Sequence, residues 1–189
     1  RAFPVPAMRE NDPFLLFDHF GPINYEPGGA TGVPAHPHCG FEAITYLLGG
    51  EVEHKDSWGG QAAIETGDIQ WMTTGSGLIH SELVTDKFKK SGGEMQGLQI
   101  WVNLPQKHKQ VKPWYQLIKK NDIPTIDEGN DVLIKVLVGK VKNISSAVQT
   151  YSPVSIFDVQ FIKPSLIDLD ISKNQTVMVY VIDGELKFH

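Results

Sequence analysis

HPHCGFEAITYLLGG, residues 36–50, is answered further along the chain by GDIQWMTTGSGLIHSE, residues 67–82. In an extended strand, successive side chains point to opposite faces, so residues two apart share a face. His36 and His38 are spaced in this way, and so are His80 and Glu82. If the two pairs lie on neighbouring strands, they look into one space and can close on one metal ion.

The rest of the chain supports strands. EAITYLL, DIQWMT, LQIWVNL, VLIKVLVG, VSIFDVQFI and TVMVYVI are short apolar or alternating runs bounded by Gly, Pro, Asn and Asp. Helical periodicity is nearly absent. The 18 Gly and 12 Pro fall mostly between these runs, as expected for many short strands joined by turns. The expected class is all-β, an antiparallel sandwich or barrel. A length of 189 residues with 41% hydrophobic content is enough to bury a sizeable core.

A net charge of −5 argues against direct nucleic-acid binding, which needs clustered Lys and Arg. The basic segment 107–112 is short and reads as a solvated loop. The single cysteine, Cys39, excludes an intrachain disulfide and fits a reducing compartment. No apolar run reaches the roughly 18 residues of a membrane span, and the first residues lack the layout of a signal peptide. The cytoplasm is therefore expected, or the nucleus in a eukaryote.

Three regions are expected: a metal-binding barrel over 1–105, a surface linker over 106–130 anchored by Trp114 and Tyr115, and a partial second barrel over 131–189. EAITYLLGGEVEH at 42–54 is echoed by TVMVYVIDGELKFH at 176–189, each a strand, a Gly turn and a second strand. The echo stops at His189. The second barrel is thus expected to be incomplete, its apolar faces covered by further strands or by another copy of the chain.

The spacing H-x-H-x3-E-x6-G from His36 to Gly49 resembles the first motif of cupin barrels, and the stretch from Gly67 to His80 resembles the second. Thr73 stands where cupins usually carry Pro, and His80 comes two residues late. Together with DPFLLFDHFGP upstream, HKDSWGG between the motifs and LQIWVNLP after them, the sequence resembles the pirin family, closely over Pro13–Pro105 and more loosely beyond. The resemblance implies a bicupin, or two-barrel, fold with one mononuclear divalent metal in the amino-terminal barrel, held by His36, His38, His80 and Glu82. Fe(II) is the expected ion. Three neutral imidazoles with one carboxylate also suit Cu, Mn, Co, Ni or Zn, and the lack of thiolate ligands argues against iron–sulfur or structural zinc.

Glu42, a ligand in most cupins, is by this resemblance a neighbour of the site or solvent-facing instead. Cys39 has the opposite strand parity to His36 and His38 and is expected to face away. His54 and Asp56, in HKDSWGG, could be taken for further ligands, but Asp before Ser and Gly reads as a turn former, and His19 reads as a structural residue at the barrel mouth. Phe41, Trp71, Met72 and Trp101 read as core or pocket wall, with at most half of them facing the cavity. The resemblance implies a quercetin 2,3-dioxygenase type of reaction, in which O2 opens a flavonol, with Glu82 as the candidate catalytic base. It equally implies an alternative, a non-enzymatic metal or redox sensor that acts as a transcriptional co-regulator through protein partners. A barrel that keeps its metal without activity is the third reading.

Overall fold

A computed structural model gives the fold and describes residues 1–9, 11–129 and 131–187. Asn130, at the end of the expected linker, and Phe188 and His189, at the end of the echo, lie outside the described residues. The strands are β1 (Phe14–Tyr25), β2 (Gly32–His38), β3 (Phe41–Gly49), β4 (Glu51–Asp56), β5 (Gln61–Glu65), β6 (Ile69–Thr73) and β7 (Leu78–Val84). After a short helix α1 (Asp86–Ser91) come β8 (Gly93–Asn103), β9 (Trp114–Ile118), β10 (Thr125–Asp127), β11 (Val132–Val138), β12 (Lys140–Val141), β13 (Ile144–Ser145) and β14 (Ile156–Phe161).

Two antiparallel sheets build the first unit, one in the order β1-β8-β3-β6-β9 and the other β2-β7-β4-β5. Between them lie Leu47, Val52, Ile64 and Met95 at one end and Ala43, Met72 and Leu78 at the other. This is the all-β cupin sandwich. The burial patterns explain the sequence patterns. β7 alternates buried and exposed residues because its outer face meets solvent, whereas every residue of β6 is buried because both faces are covered. What covers the far face is the second unit, where Leu137, Val138, Val148 and Val154 pack on Ile44, Tyr46, Trp71 and Ile100.

Three expectations meet a different outcome. Residues 114–118, inside the expected linker, form β9 and pair with β6 from Ile69↔Ile118 to Thr73↔Trp114. Helix α1 was hidden by its length of 6 residues, too short to show a period; Thr85 caps it by accepting from the Phe88 amide at 3.2 Å. TVMVYVI, 176–182, forms no strand. A ladder needs a second backbone alongside, and none is paired with this segment among the described residues. Met178 and Tyr180 touch the first unit, but of residues 177–182 only Met178 is half-buried and the rest are exposed.

Candidate metal centre

β7 runs between β2 and β4, and the two registers fix what surrounds each of its inward residues. His80 lies opposite His36 on one side and Asp56 on the other, and Glu82 lies opposite Val33 and His54. His80 and Glu82 are buried while Ile79 and Leu83 are exposed, which is the parity expected of an i, i+2 pair. Close approach of β2 depends on Gly32, whose φ is +79° and whose missing Cβ would lie 2.3 Å from the Glu82 carbonyl oxygen.

The three imidazoles converge. Ring centroids are 4.7 Å apart for His36 and His38, 4.3 Å for His36 and His80, and 5.0 Å for His38 and His80. His36 Nδ1 lies 2.8 Å from the carbonyl oxygen of Pro34. A carbonyl only accepts, so Nδ1 carries the proton and Nε2 presents its lone pair, 3.0 Å from His38 Nε2. His38 sits against Phe41 and Trp101, themselves stacked at 4.6 Å. Burial first, and then His36, push His38 down to about 4. Burial, followed by His36, His38 and His54, pushes His80 down to about 3. Both rings are therefore neutral at neutral pH, with lone pairs available to a cation.

The four expected ligands do not form one group. One ligand atom from each of His36, His38 and His80 lies within 4.8 Å of the others, and Glu82 belongs to a second such group with His54 and His80. Glu82 Oε1 accepts from Gln70 Nε2 at 2.6 Å and from Thr45 Oγ1 at 3.2 Å. Both His80 nitrogens, His54 Nδ1, Gln70 Oε1 and the Tyr115 hydroxyl are buried with no partner among the described residues. Unpartnered buried polar atoms are costly and rare, and imidazole nitrogens gathered in this way fit a bound divalent ion.

Glu42 lies on the other face of its sheet. Its Oε1 accepts from Trp71 Nε1 at 3.0 Å and Thr73 Oγ1 at 2.8 Å, and Oε2 accepts from Thr150 Oγ1 at 2.5 Å. It is neither beside the imidazoles nor solvent-facing, because the second unit covers it. Cys39 is exposed with a free thiol. Of the four expected wall residues, Phe41, Met72 and Trp101 share the inner cluster and only Trp71 points away. Alternation holds along one strand, and these residues come from three. His19 lies on the outer face of β1, where it meets Gln96 and Tyr180.

Asp56 does make the expected turn, accepting from the Trp58 and Gly60 amides. Burial alone would raise its carboxyl, but the bonds from His54, Gly60 and Trp58 outweigh burial and hold it below the usual carboxylate range. His54 is instead an interior residue, fully buried and stacked on Tyr115 at 4.3 Å. The signal was present in the sequence: Val52, His54 and Asp56 alternate on the inward face of β4.

The family model described as Pirin matches residues 1–102. A protein of Pseudomonas aeruginosa provisionally named a quercetin 2,3-dioxygenase is 39% identical over 196 residues, covering 98% of this chain and 68% of that protein. Pirin of Homo sapiens is 36% identical over 187 residues, covering 98% and 61% respectively. A crystal structure described as quercetin 2,3-dioxygenase from Acinetobacter baumannii matches with a TM-score of 0.73 and 42% identity, over 78% of this chain and 52% of that one. The chain thus spans about half the length of the solved structure it matches. No helix among the described residues is long and apolar enough to cross a membrane.

Proposed function

The chain belongs to the pirin family, and from that premise we propose that its first unit, placed at residues 1–105, holds one divalent metal and serves a dioxygenase that opens a flavonol with O2. The observation that carries this reading is the convergence of three imidazoles on one space, with the His80 nitrogens left without partners among the described residues. His36, His38 and His80 would hold the ion, with Glu82 as the fourth ligand. Fe(II) is the proposed ion, and the donor set would also take Cu, Mn, Co, Ni or Zn. When bound, the metal supplies a Lewis acid that acidifies the flavonol hydroxyl and orients the two reactants.

Glu82 is also the proposed catalytic base. A carboxylate held on a cation is a weak base, so this role requires Glu82 to sit off the metal when it takes the proton. Its grouping apart from His36 and His38 is compatible with that, and the bonds from Gln70 and Thr45 hold Oε1 while leaving Oε2 unengaged among the described residues. Phe41 and Trp101 would give the flavonol an aromatic wall beside His38.

Anaerobic loading with Fe(II), followed by quercetin and O2, tests the reading. The flavonol absorbance should decay and carbon monoxide should appear, and both should be lost in His36→Ala and Glu82→Ala. Fully loaded protein that leaves quercetin intact rejects the flavonol assignment.

A second reading, a metal-dependent surface for a protein partner, is favoured by Ile79 and Leu83. They expose apolar area on the outer face of β7, the strand that carries His80 and Glu82. It predicts that metal loading alters hydrogen exchange along β2 and β7 in protein that does not turn over flavonol.

A further inference from the structure

Behind the three converging imidazoles is another set of ligand atoms. His54, His80 and Glu82 are all buried, and one ligand atom from each lies within 4.8 Å of the others. His54 has no place in the ligand set proposed above.

The backbone and a carboxylate fix how His54 is presented. Asp56 Oδ1 accepts from the Trp58 amide at 2.7 Å and the Gly60 amide at 3.0 Å, which turns Oδ2 onto His54 Nε2 at 2.9 Å. A carboxylate accepts, so Nε2 carries the proton and the lone pair is on Nδ1, which is buried without a partner. The ring is fully buried and stacked on Tyr115 at an interplanar angle of 19°, so it has no room to turn that lone pair toward solvent. An imidazole with one nitrogen held by a carboxylate and the other bare is how metal-ligating histidines are usually supported. Beside it stands His80, also with unpartnered nitrogens, and then Glu82.

We propose that His54, His80 and Glu82 form a second, inner position for a divalent ion of borderline softness, Zn(II) or Co(II), with Asp56 orienting His54. Two imidazoles and a carboxylate suit such an ion, and the nearby Asp56 carboxylate offsets its remaining charge. A neutral His80 has a single lone pair, so the inner and outer positions compete for it and the barrel holds one ion at a time. Only this competition rests on the proposed outer site; the inner triad stands on its own residues.

Co(II) titration of the metal-free chain, followed by visible absorption and equilibrium dialysis, tests the proposal. Wild-type protein should bind one equivalent. His36→Ala/His38→Ala should still bind one equivalent, with a changed spectrum. Adding His54→Gln to that double variant should weaken Co(II) binding at least about tenfold, and adding Asp56→Asn should weaken it roughly 10- to 100-fold by freeing the ring. Circular dichroism checks that each variant folds, and Asp56→Asn supplies the reading if His54→Gln does not. The inner position is overturned if the double variant binds no Co(II), or binds it equally well with and without both added changes. Two equivalents in wild type would overturn the competition. Failure of wild type itself to bind Co(II) would remove the outer site as well, which separates the two readings.

Discussion

His38 and His80 are held at about 4 and about 3, in each case first by burial. An unfolded chain titrates its histidines near pH 6.5. Between the native and unfolded values the unfolded state binds more protons, so the stability of the metal-free protein rises with pH through this window and levels off above it. Acid therefore destabilises the site before it denatures ordinary carboxylate pairs. Thermal melts of chelator-treated protein from pH 7.5 to 5 should show Tm falling, with a shallower fall in His80→Gln. Equal slopes in the two proteins would refute the assignment. The shared face of His80 and Glu82, and the meeting of His36 with His80 across two strands, follow from the i, i+2 spacing in the sequence. His54 was not read as interior, because HKDSWGG looks like a turn and the turn belongs to Asp56 alone. The setting of Glu42 was also hidden, because its donor Thr150 is 108 residues away.

At the scale of elements, the site depends on how tightly β2 lies against β7. Gly32 has φ +79°, and a Cβ there would meet the Glu82 carbonyl oxygen at 2.3 Å and Leu83 Cα at 2.6 Å, both backbone atoms that cannot swing aside. Gly32→Ala should cost on the order of 2 kcal/mol from the left-handed backbone alone, with the clash adding to it. Since β2 also carries His36 and His38, Co(II) affinity should fall along with stability. Urea unfolding and Co(II) titration of the same variant check both, and an unchanged midpoint would show that β2 tolerates displacement. Strands with apolar runs, such as β3, β6, β8 and β11, were legible because burial on one or both faces writes itself into composition. β9 was missed because its residues are all half-buried, giving neither an apolar run nor a clean alternation. TVMVYVI shows the opposite failure, a strand-like pattern with no partner to pair with among the described residues.

At the scale of the molecule, the metal-binding barrel expected over 1–105 shares its packing with residues beyond it. The outer face of the five-stranded sheet is apolar, and Leu137, Val138, Val148 and Val154 cover it. Glu42 bonds across this junction to Thr150, and Tyr46 donates to Asp158 at 2.8 Å. Each of these contacts removes apolar or polar surface of the first unit from water, so its stability is coupled to residues beyond 130. Leu137, 3% exposed, contributes to that shared core without approaching the imidazoles. Leu137→Ala should cost about 2–5 kcal/mol, as for other buried leucines. If the two units share one core, the loss appears equally in two probes: tryptophan fluorescence, and the visible absorption of Co(II) bound in the first unit. Both melts should coincide in wild type and shift together in the variant. A Co(II) signal that melts separately and is unmoved by Leu137→Ala would instead make the metal-bearing unit independent, with its boundary near residue 105.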